Sequence, residues 1–566
     1  MVCICLSYGL NFPYWDQWAT PGLLFANKVY ENQPITWSDW LSQHNESRKL
    51  FPRLIFVGMA SLTNWNIKVE LMVNCFLNTV SLTTLYFLAK QTLKNSHIRN
   101  ICLILSSILL FSLVQYENYL WGIQICVFLS LAAFVLCLGL FQQKLPLAVK
   151  VIVGGILCII STFSFANGML SWVVVMPALI IDEKLTIADL KKRLPWLLFW
   201  LLLMGTNLWI YFHDYVKPGG HPAFSVAVEN PATAILYFRI FFGSILGGFD
   251  KDQAMIAGEV ILVLWLFCVG MIGYRALRDD KILPQTKGWI LLGGYSIASG
   301  LITTFGRVGF GAQQAFSSRY TTFSVWLYIS LIFLIGILLQ EFRLSQRYSR
   351  IIKGMIGGLI GVGLILHIST SQNAFTQLQS HRFSKLQGQA CAVLSPVLED
   401  AECLTTFVYP DLESLRHLIV NINRLGYLHP PPLETAEVES FAEVNSTPET
   451  IGYFDELSPI SETVYHIHGW ARLPQRREPA DAILLSYQGG QTPAQVFHRV
   501  QRATPREDVT DLFRDRPSSW LWGWDGDFPV SKLPPGQWTI KAWAFDTMKA
   551  KAFELSGQFS LTVKPS

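Results

Sequence analysis

Between Tyr14 and Arg53 the chain sets ionisable and amide side chains among aromatic ones: Tyr14-Trp15-Asp16-Gln17-Trp18, then His44-Asn45-Glu46-Ser47-Arg48, then Pro52-Arg53. A carboxylate between indoles is partly desolvated, which raises its proton affinity and equips it as a general base. Asp16 is the first candidate for that role; the alternative is an interfacial helix cap in a tryptophan belt. His44 and Ser47, or Asn45 and Arg48, are spaced to share a helix face. Glu46 reads either as a second acid or as the ion-pair partner of Arg48. The guanidinium forks of Arg48 and Arg53 match phosphate oxygens in bidentate geometry. A solvated charged turn before a helix is the plainer reading of this stretch.

Polar residues of the same kind recur between later apolar runs, in Gln115-Tyr116-Glu117-Asn118, in Phe165-Ala166-Asn167-Gly168, and in Arg307 with Ser317-Ser318-Arg319-Tyr320. Arg307 and Arg319 can complete a diphosphate clamp or merely snorkel to an interface. Glu117 is placed to orient a substrate or to share a divalent cation with Asp16, although no D-x-D or H-x-x-x-H pattern supports a metal. Asn167, beside Gly168, fits substrate contact or a helix cap. His213, Asp214 and His221 read as ordinary surface residues of a long loop.

The elements that must position these residues belong to a membrane protein. Hydrophobic residues make up 51% of the chain and charged residues 15%, against roughly 25% charged in soluble domains. The net charge is +4 and the basic residues are scattered, so no nucleic-acid partner is expected. Apolar runs at 69–89, 101–114, 119–140, 147–163, 169–181, 194–212, 256–273, 289–305, 323–339 and 352–368 are read as spans, since a helix needs ~20 apolar residues to cross. The first eleven residues are apolar but too short to cross, and the expectation is a start placed too late, or a fragment, rather than a signal peptide.

Lysine and arginine collect in alternate loops: Lys90, Lys94 and Arg99; Lys144 and Lys150; Lys184, Lys191, Lys192 and Arg193; Arg275, Arg278, Lys281 and Lys287; Arg343, Arg347, Arg350 and Lys353. The positive-inside bias puts these in the cytoplasm. The polar stretches above then all face outward, and their gathering on one side predicts a shared cavity there. Parity requires that 234–246, which carries Arg239, lie as a re-entrant or interfacial helix.

After Ser369 the chain is expected outside the membrane. The run 412–425 reads as an amphipathic helix and Pro430-Pro431-Pro432 as a linker. From about Gly452, period-two alternation with turn signals predicts a small antiparallel β-sandwich. Its tryptophans Trp470, Trp522, Trp524 and Trp543 are candidates for glycan contact or for core. Cys391 and Cys403 can pair in an oxidising compartment, or remain two unpaired thiols. The division is 1–370 membrane domain, 371–450 helical connector and linker, and 451–566 β domain.

In this topology, with an acid just after the first span (Asp16), basic residues at late outer junctions (Arg307, Arg319) and a soluble domain after the last span, residues 1–368 resemble the polytopic GT-C fold glycosyltransferases. Many of those carry a paired Asp-Asp or Asp-Glu where this chain has Asp16-Gln17. The resemblance implies an α-helical polytopic membrane protein of about ten to eleven transmembrane helices followed by the β-sandwich-like domain. It implies that Asp16 activates the acceptor and that Arg319 holds the donor phosphate. The expected activity is inverting transfer of a sugar from a polyprenyl-phosphate donor to an extracytoplasmic glycan, lipid or protein, in the plasma (inner) membrane. Catalytic residues would be Asp16 and Glu46, and substrate contacts His44, Arg48, Arg53, Gln115, Glu117, Asn118, Asn167, Arg307, Arg319 and Tyr320. No cofactor is required by this reading, and a divalent cation is left open. A transporter or flippase of lipid-linked sugars, or a membrane anchor displaying a binding domain, are the alternatives.

Overall fold

A computed structural model describes residues 1–180, 187–279, 281–341, 346–445, 449–500, 502–512 and 521–564. Lys184 and Arg343, counted above among the cytoplasmic charges, lie outside the described residues. The chain divides into two compact units. Unit 1 is Met1–Gly9, Ile35–Thr63 and Ile67–Gln379; unit 2 is Leu10–Pro34, Asn64–Asn66 and Ser380–Ser566.

Unit 1 is helical. Its longer helices are α1 (Leu50–Thr63), α2 (Ile67–Thr92), α3 (Ser96–Leu110), α4 (Ile125–Gln142), α5 (Leu147–Thr162), α6 (Leu170–Ile180), α7 (Ile187–Phe212), α8 (Pro231–Gly247), α9 (Lys251–Ala276), α10 (Ile282–Arg307) and α11 (Ser318–Glu341). Helix α12 (Gln346–Leu394) belongs to unit 1 up to Gln379 and to unit 2 beyond it. Among the described residues eight helical stretches are long and apolar enough to cross a membrane: Ile67–Thr92, Ser96–Tyr119, Gly122–Gln142, Lys191–Phe212, Lys251–Ala276, Ile282–Phe310, Ser318–Glu341 and Arg350–Leu394. The chain is therefore a multi-pass membrane protein.

Two of the expected spans are among the shorter apolar helices of the described residues. The run at 147–163 folds as α5, of 16 residues, and the described part of the run at 169–181, which ends at Ile180, as α6, of 11 residues, against the ~20 that a perpendicular crossing needs. The chain reverses tightly between them at Gly168, where a β-carbon would fall on the Ser161 carbonyl. Conversely α1 lies in a stretch read as loop. Its Pro52 is in the first helical turn, where a missing N–H costs nothing.

Packing in unit 1 follows from having a lipid rather than water outside. Helices α4 and α11 bury most of their length, while α7, α9 and α12 leave Leu202, Phe267 and Ile365 exposed, the surface an apolar solvent tolerates. Indole N–H groups are satisfied across helices: Trp265 donates to the Ser330 hydroxyl at 2.8 Å, Trp289 to Thr92 at 3.1 Å and Trp172 to Asn207 Oδ1 at 3.1 Å. Helix α8 meets α9 through glycines. A β-carbon on Gly243 or Gly247 would strike Ala254, and one on Gly258 would strike the Arg239 carbonyl. Such small residues let backbones approach closely where no hydrophobic force drives helices together. Arg239 pairs with Glu259 on α9, which gives its charge a partner. The Tyr237 and Phe241 rings lie 6.5 and 5.9 Å from Tyr320, and Phe249, just past α8, lies 6.2 Å from Phe316. Helix α8 thus packs over the N-terminal part of α11.

Unit 2 carries the β-rich region: β3 (Gly452–Pro459), β4 (Val464–Ala471), β5 (Ala482–Gln488), β6 (Gln495–Val500), β7 (Arg502–Thr504), β8 (Gly523–Pro529), β9 (Gly536–Asp546) and β10 (Lys551–Val563). Unit 1 holds a small two-stranded hairpin, β1 (Gln43–His44) and β2 (Ser47–Arg48). The eight strands form one sheet in the order β6-β5-β9-β10-β3-β4-β8-β7, with β10 and β3 parallel and the other neighbours antiparallel. The sheet curls as a half-barrel, so that Phe497 on β6 meets Phe528 on β8 at 5.3 Å, and both halves bury one core. The expected antiparallel β-sandwich takes the form of one curled, mostly antiparallel sheet whose two halves face each other across that core. Gly557, at φ 93°, sits at the register shift between Glu554 and Gln558 on β10, a left-handed position that glycine fills without strain.

The four tryptophans offered for glycan contact are core residues: Trp470, Trp522, Trp524 and Trp543 are 7%, 2%, 3% and 7% exposed. Trp524 lies in the core inside the curl, Trp543 packs with Val393 and Val438, and Trp470 packs with Trp522 and Val509. The helix Leu412–Arg424 forms as expected, capped by Asp411, whose carboxylate accepts from Ser414 N. It packs on the Leu10–Pro34 segment: Arg424 donates to Tyr30 Oη at 2.8 Å and Asn421 to the Ala26 carbonyl at 3.4 Å. Cys391 and Cys403 are joined as a disulfide, taking the first of the two readings above.

Candidate functional site

Unit 1 gathers several helix ends: the C-termini of α3, α5 and α10 and the N-terminus of α11. The β1–β2 hairpin is added to them. Asn45 turns the hairpin at φ 51°, a left-handed value that asparagine tolerates. The helix face expected to join His44 with Ser47 is instead a cross-strand pair of this hairpin. The Ser47 hydroxyl accepts from Ala166 N at 3.2 Å, which ties the hairpin to the α5–α6 turn.

Arg48 and Arg53 hold this loop in shape. Arg48 Nε donates to the Tyr211 carbonyl at 2.6 Å, Nη1 to the Leu41 carbonyl at 2.7 Å and Nη2 to the His213 carbonyl. Arg53 Nη1 donates to the carbonyls of Trp40 at 3.0 Å and Ser42 at 2.6 Å. Both side chains are buried. Donors reserved above for phosphate are thus engaged by main-chain oxygens, since a buried guanidinium must find acceptors wherever the chain supplies them.

Glu46 is held at the hairpin turn, with its own carbonyl accepting from Tyr211 Oη at 2.7 Å. Its partner is not Arg48. Glu46 Oε1 takes Arg307 Nη2 at 2.6 Å and His221 Nδ1 at 2.5 Å, and Arg307 Nη1 lies 3.4 Å from His221 Nε2. All three side chains are partly exposed, so the cluster is reachable from outside the bundle. From the sequence alone His221 reads as an ordinary surface histidine. The only signal in the sequence is that it lies in the same long loop as His213, and loop membership does not reveal a partner.

A second cluster flanks the N-terminus of α11. Arg319 Nε lies 3.8 Å from Glu117 Oε2 and 3.3 Å from Ser317 Oγ, and Ser317 Oγ lies 3.4 Å from the same carboxylate. The Arg319 guanidinium sits 5.8 Å from the Trp121 ring centre, within cation–π range. Beneath it Asn118 donates to the Arg319 carbonyl at 2.9 Å, Thr322 donates to Gln115 Oε1 at 2.8 Å, and Gln115 donates to the carbonyls of Leu109 and Leu110 at 2.8 and 3.0 Å. Gln115 and Asn118 are fully buried. They close the last turn of α3 onto α11 and serve as scaffold. The main-chain carbonyl of Asn167 accepts from Tyr295 Oη at 3.2 Å, and Tyr320 stacks on Phe241. His44 contacts Asn45.

Asp16 belongs to unit 2. The Tyr14 main-chain N–H donates to Gln17 Oε1 at 3.3 Å, Trp18 packs on Phe12, and Lys385 Nζ sits 4.5 Å over the Tyr14 ring. Burial, and then the charge of Asp16, push the Tyr409 phenol above its ordinary range, which marks Asp16 as its neighbour. The structure therefore brings Glu46, Arg307 and His221 together, and Glu117 with Arg319, in unit 1, and places Asp16 in the other unit. Among the described residues no group of three or more His, Cys, Asp or Glu side chains is arranged to hold a metal ion. Comparison with protein-family models, curated proteins and solved structures returns no match.

Proposed function

We propose that the chain is a membrane glycosyltransferase of GT-C type, moving a sugar from a polyprenyl-phosphate donor to an extracytoplasmic glycan or lipid acceptor with inversion. The observation that carries this reading is the Glu46–Arg307 pair at the polar end of a multi-pass helical unit, with Glu117 and Arg319 in a second pair at the same gathering of helix ends. An inverting transfer needs a cation where the leaving phosphate develops charge and a base where the acceptor hydroxyl loses its proton. Arg307 and Arg319 supply the first, and their carboxylate partners keep them oriented until phosphate arrives. The polyprenyl chain would run along the exposed apolar helix faces, and the basic loops at the opposite helix ends support an outward orientation of this end. Asp16 and Glu46 are the carboxylates to be tested as base.

A transporter reading is less well supported, because the buried polar groups Asn74, Asn78, Gln115 and Thr322 bond to main-chain and side-chain neighbours within the bundle, as scaffold residues do. The deciding assay is sugar transfer in membranes from a series of polyprenyl-phosphate-linked sugars, comparing the native chain with Arg307→Ala and Asp16→Asn. The donor KM of Arg307→Ala should rise ~10-fold or more, as expected for losing a hydrogen bond to a charged group. Undiminished transfer by Asp16→Asn removes Asp16 as base. No transfer by the native protein from any donor, or an unchanged donor KM in Arg307→Ala, sinks the proposal.

A further inference from the structure

His221 stands in the segment between α7 and α8, and its ring is fixed from two sides. Nδ1 lies 2.5 Å from Glu46 Oε1, and that same oxygen takes Arg307 Nη2 at 2.6 Å. Among the described residues no group hydrogen-bonds to Glu46 Oε2. One oxygen of the Glu46 carboxylate is thus shared between a guanidinium and an imidazole. It holds the imidazole in one tautomer, with the proton on Nδ1 and the lone pair on Nε2. Arg307 Nη1 approaches that nitrogen at 3.4 Å, longer than a good N–H···N contact, and a phosphate would draw this donor away. Lys217, on the same segment, is turned to the Pro222 carbonyl at 3.2 Å, and His213 pairs with Asp214 at 3.2 Å.

We propose, resting on the glycosyltransferase reading, that His221 is the general base of the transfer and Glu46 its positioning residue. Nε2 takes the proton of the acceptor hydroxyl as the acceptor oxygen bonds to the anomeric carbon. The anomeric C–O bond to phosphate breaks, its electron pair stays on the phosphate oxygen, and Arg307 faces the charge that develops there. The imidazolium remains paired with Glu46 until its proton passes to water.

The test uses the full chain in membranes and measures transfer and donor binding separately for His221→Ala, His221→Gln and Glu46→Gln. Both His221 variants should bind the polyprenyl-phosphate donor with native affinity and lose ~100-fold or more in kcat. Glutamine at this position can still hydrogen-bond Glu46 but cannot take up a proton, so its loss separates base chemistry from loop support. Added imidazole should restore rate to His221→Ala and not to Glu46→Gln. Native kcat in either His221 variant, or no recovery with imidazole in a variant that still binds donor, overturns the assignment and leaves the glycosyltransferase reading standing. Absence of transfer by the native chain overturns both.

Discussion

Replacing Arg48 by methionine separates two roles that the sequence could not distinguish. As a phosphate ligand, Arg48 would affect donor affinity and little else. The geometry gives it three main-chain carbonyls instead, those of Tyr211, Leu41 and His213, and it is 9% exposed. Hydrogen bonds to a charged group contribute ~1.5–3 kcal/mol each. Three of them sum to more than the true loss, because freed carbonyls near the bundle end regain water and deletions of one group are not additive. About 3–5 kcal/mol of local stability is the reasonable expectation, comparable to removing one partner of a buried pair. The assay is hydrogen exchange on the protein in detergent. Two reporter amides are Val216, which donates to Gln43 Oε1 at 3.0 Å, and Ala166, which donates to Ser47. Their protection should fall by about 10² to several times 10³-fold, at 1.36 kcal/mol per factor of ten. Arg48→Lys, which keeps the charge but loses the fork, should lose roughly half as much in free energy. Unchanged protection together with a weakened donor affinity would refute the reasoning and restore Arg48 to the phosphate.

Two further substitutions probe the scaffold. Gly243→Val should force α8 off α9, since its β-carbon would land on the Ala254 carbonyl; a loss of ~3 kcal/mol or more, of the size seen for overpacked contacts, should appear as a lower unfolding temperature in detergent, and native-like melting would contradict the close packing. Arg476→Met should cost unit 2 about 3–5 kcal/mol, because Arg476 pairs with Asp481 at 2.7 Å, Asp546 at 3.2 Å and Glu478 at 2.5 Å, and the first two carboxylates are almost fully buried. Burial lifts Asp481 above the usual carboxylate range despite Arg476, with the Asp546 charge adding to the rise; a raised folded pKa means the folded state holds the proton more tightly, so this contribution is present at acid pH and lost as pH rises. Without Arg476 the rise is larger, and unfolding curves of the variant should therefore diverge from native most at neutral pH and converge as pH falls; a penalty independent of pH would be the contrary result.

Much of the architecture was legible because it is written in local pattern. Runs of apolar residues long enough to cross a bilayer are visible without knowing any neighbour, and eight of them fold as such helices. Period-two alternation located β4, β5 and β9, and the 3.6 period located Leu412–Arg424. The misreadings fall where local pattern is ambiguous. Pro52-Arg53 looked like the end of a loop, although proline suits a helix start and Arg53 can turn inward to the carbonyls of Trp40 and Ser42. An exposed tryptophan and a core tryptophan on a strand have the same period; only the tertiary structure shows Trp524 buried in the core inside the curl and Trp470 buried against Trp522 and Val509.

The sequence by itself determined the class of molecule: a multi-pass helical unit with a β-rich unit after it, and polar residues confined to particular junctions. Hydropathy suffices for that, since the cost of exposing a backbone or a charge to lipid is paid residue by residue. Only the tertiary structure decided which side chain meets which. Glu46 and Arg307 are 261 residues apart, Arg48 and Tyr211 are 163 apart, and a hydrogen bond between such residues depends on where helix ends converge. No periodicity encodes that convergence, and so Glu46 changed partner from Arg48 to Arg307, and His221 moved from the surface to the centre of the site.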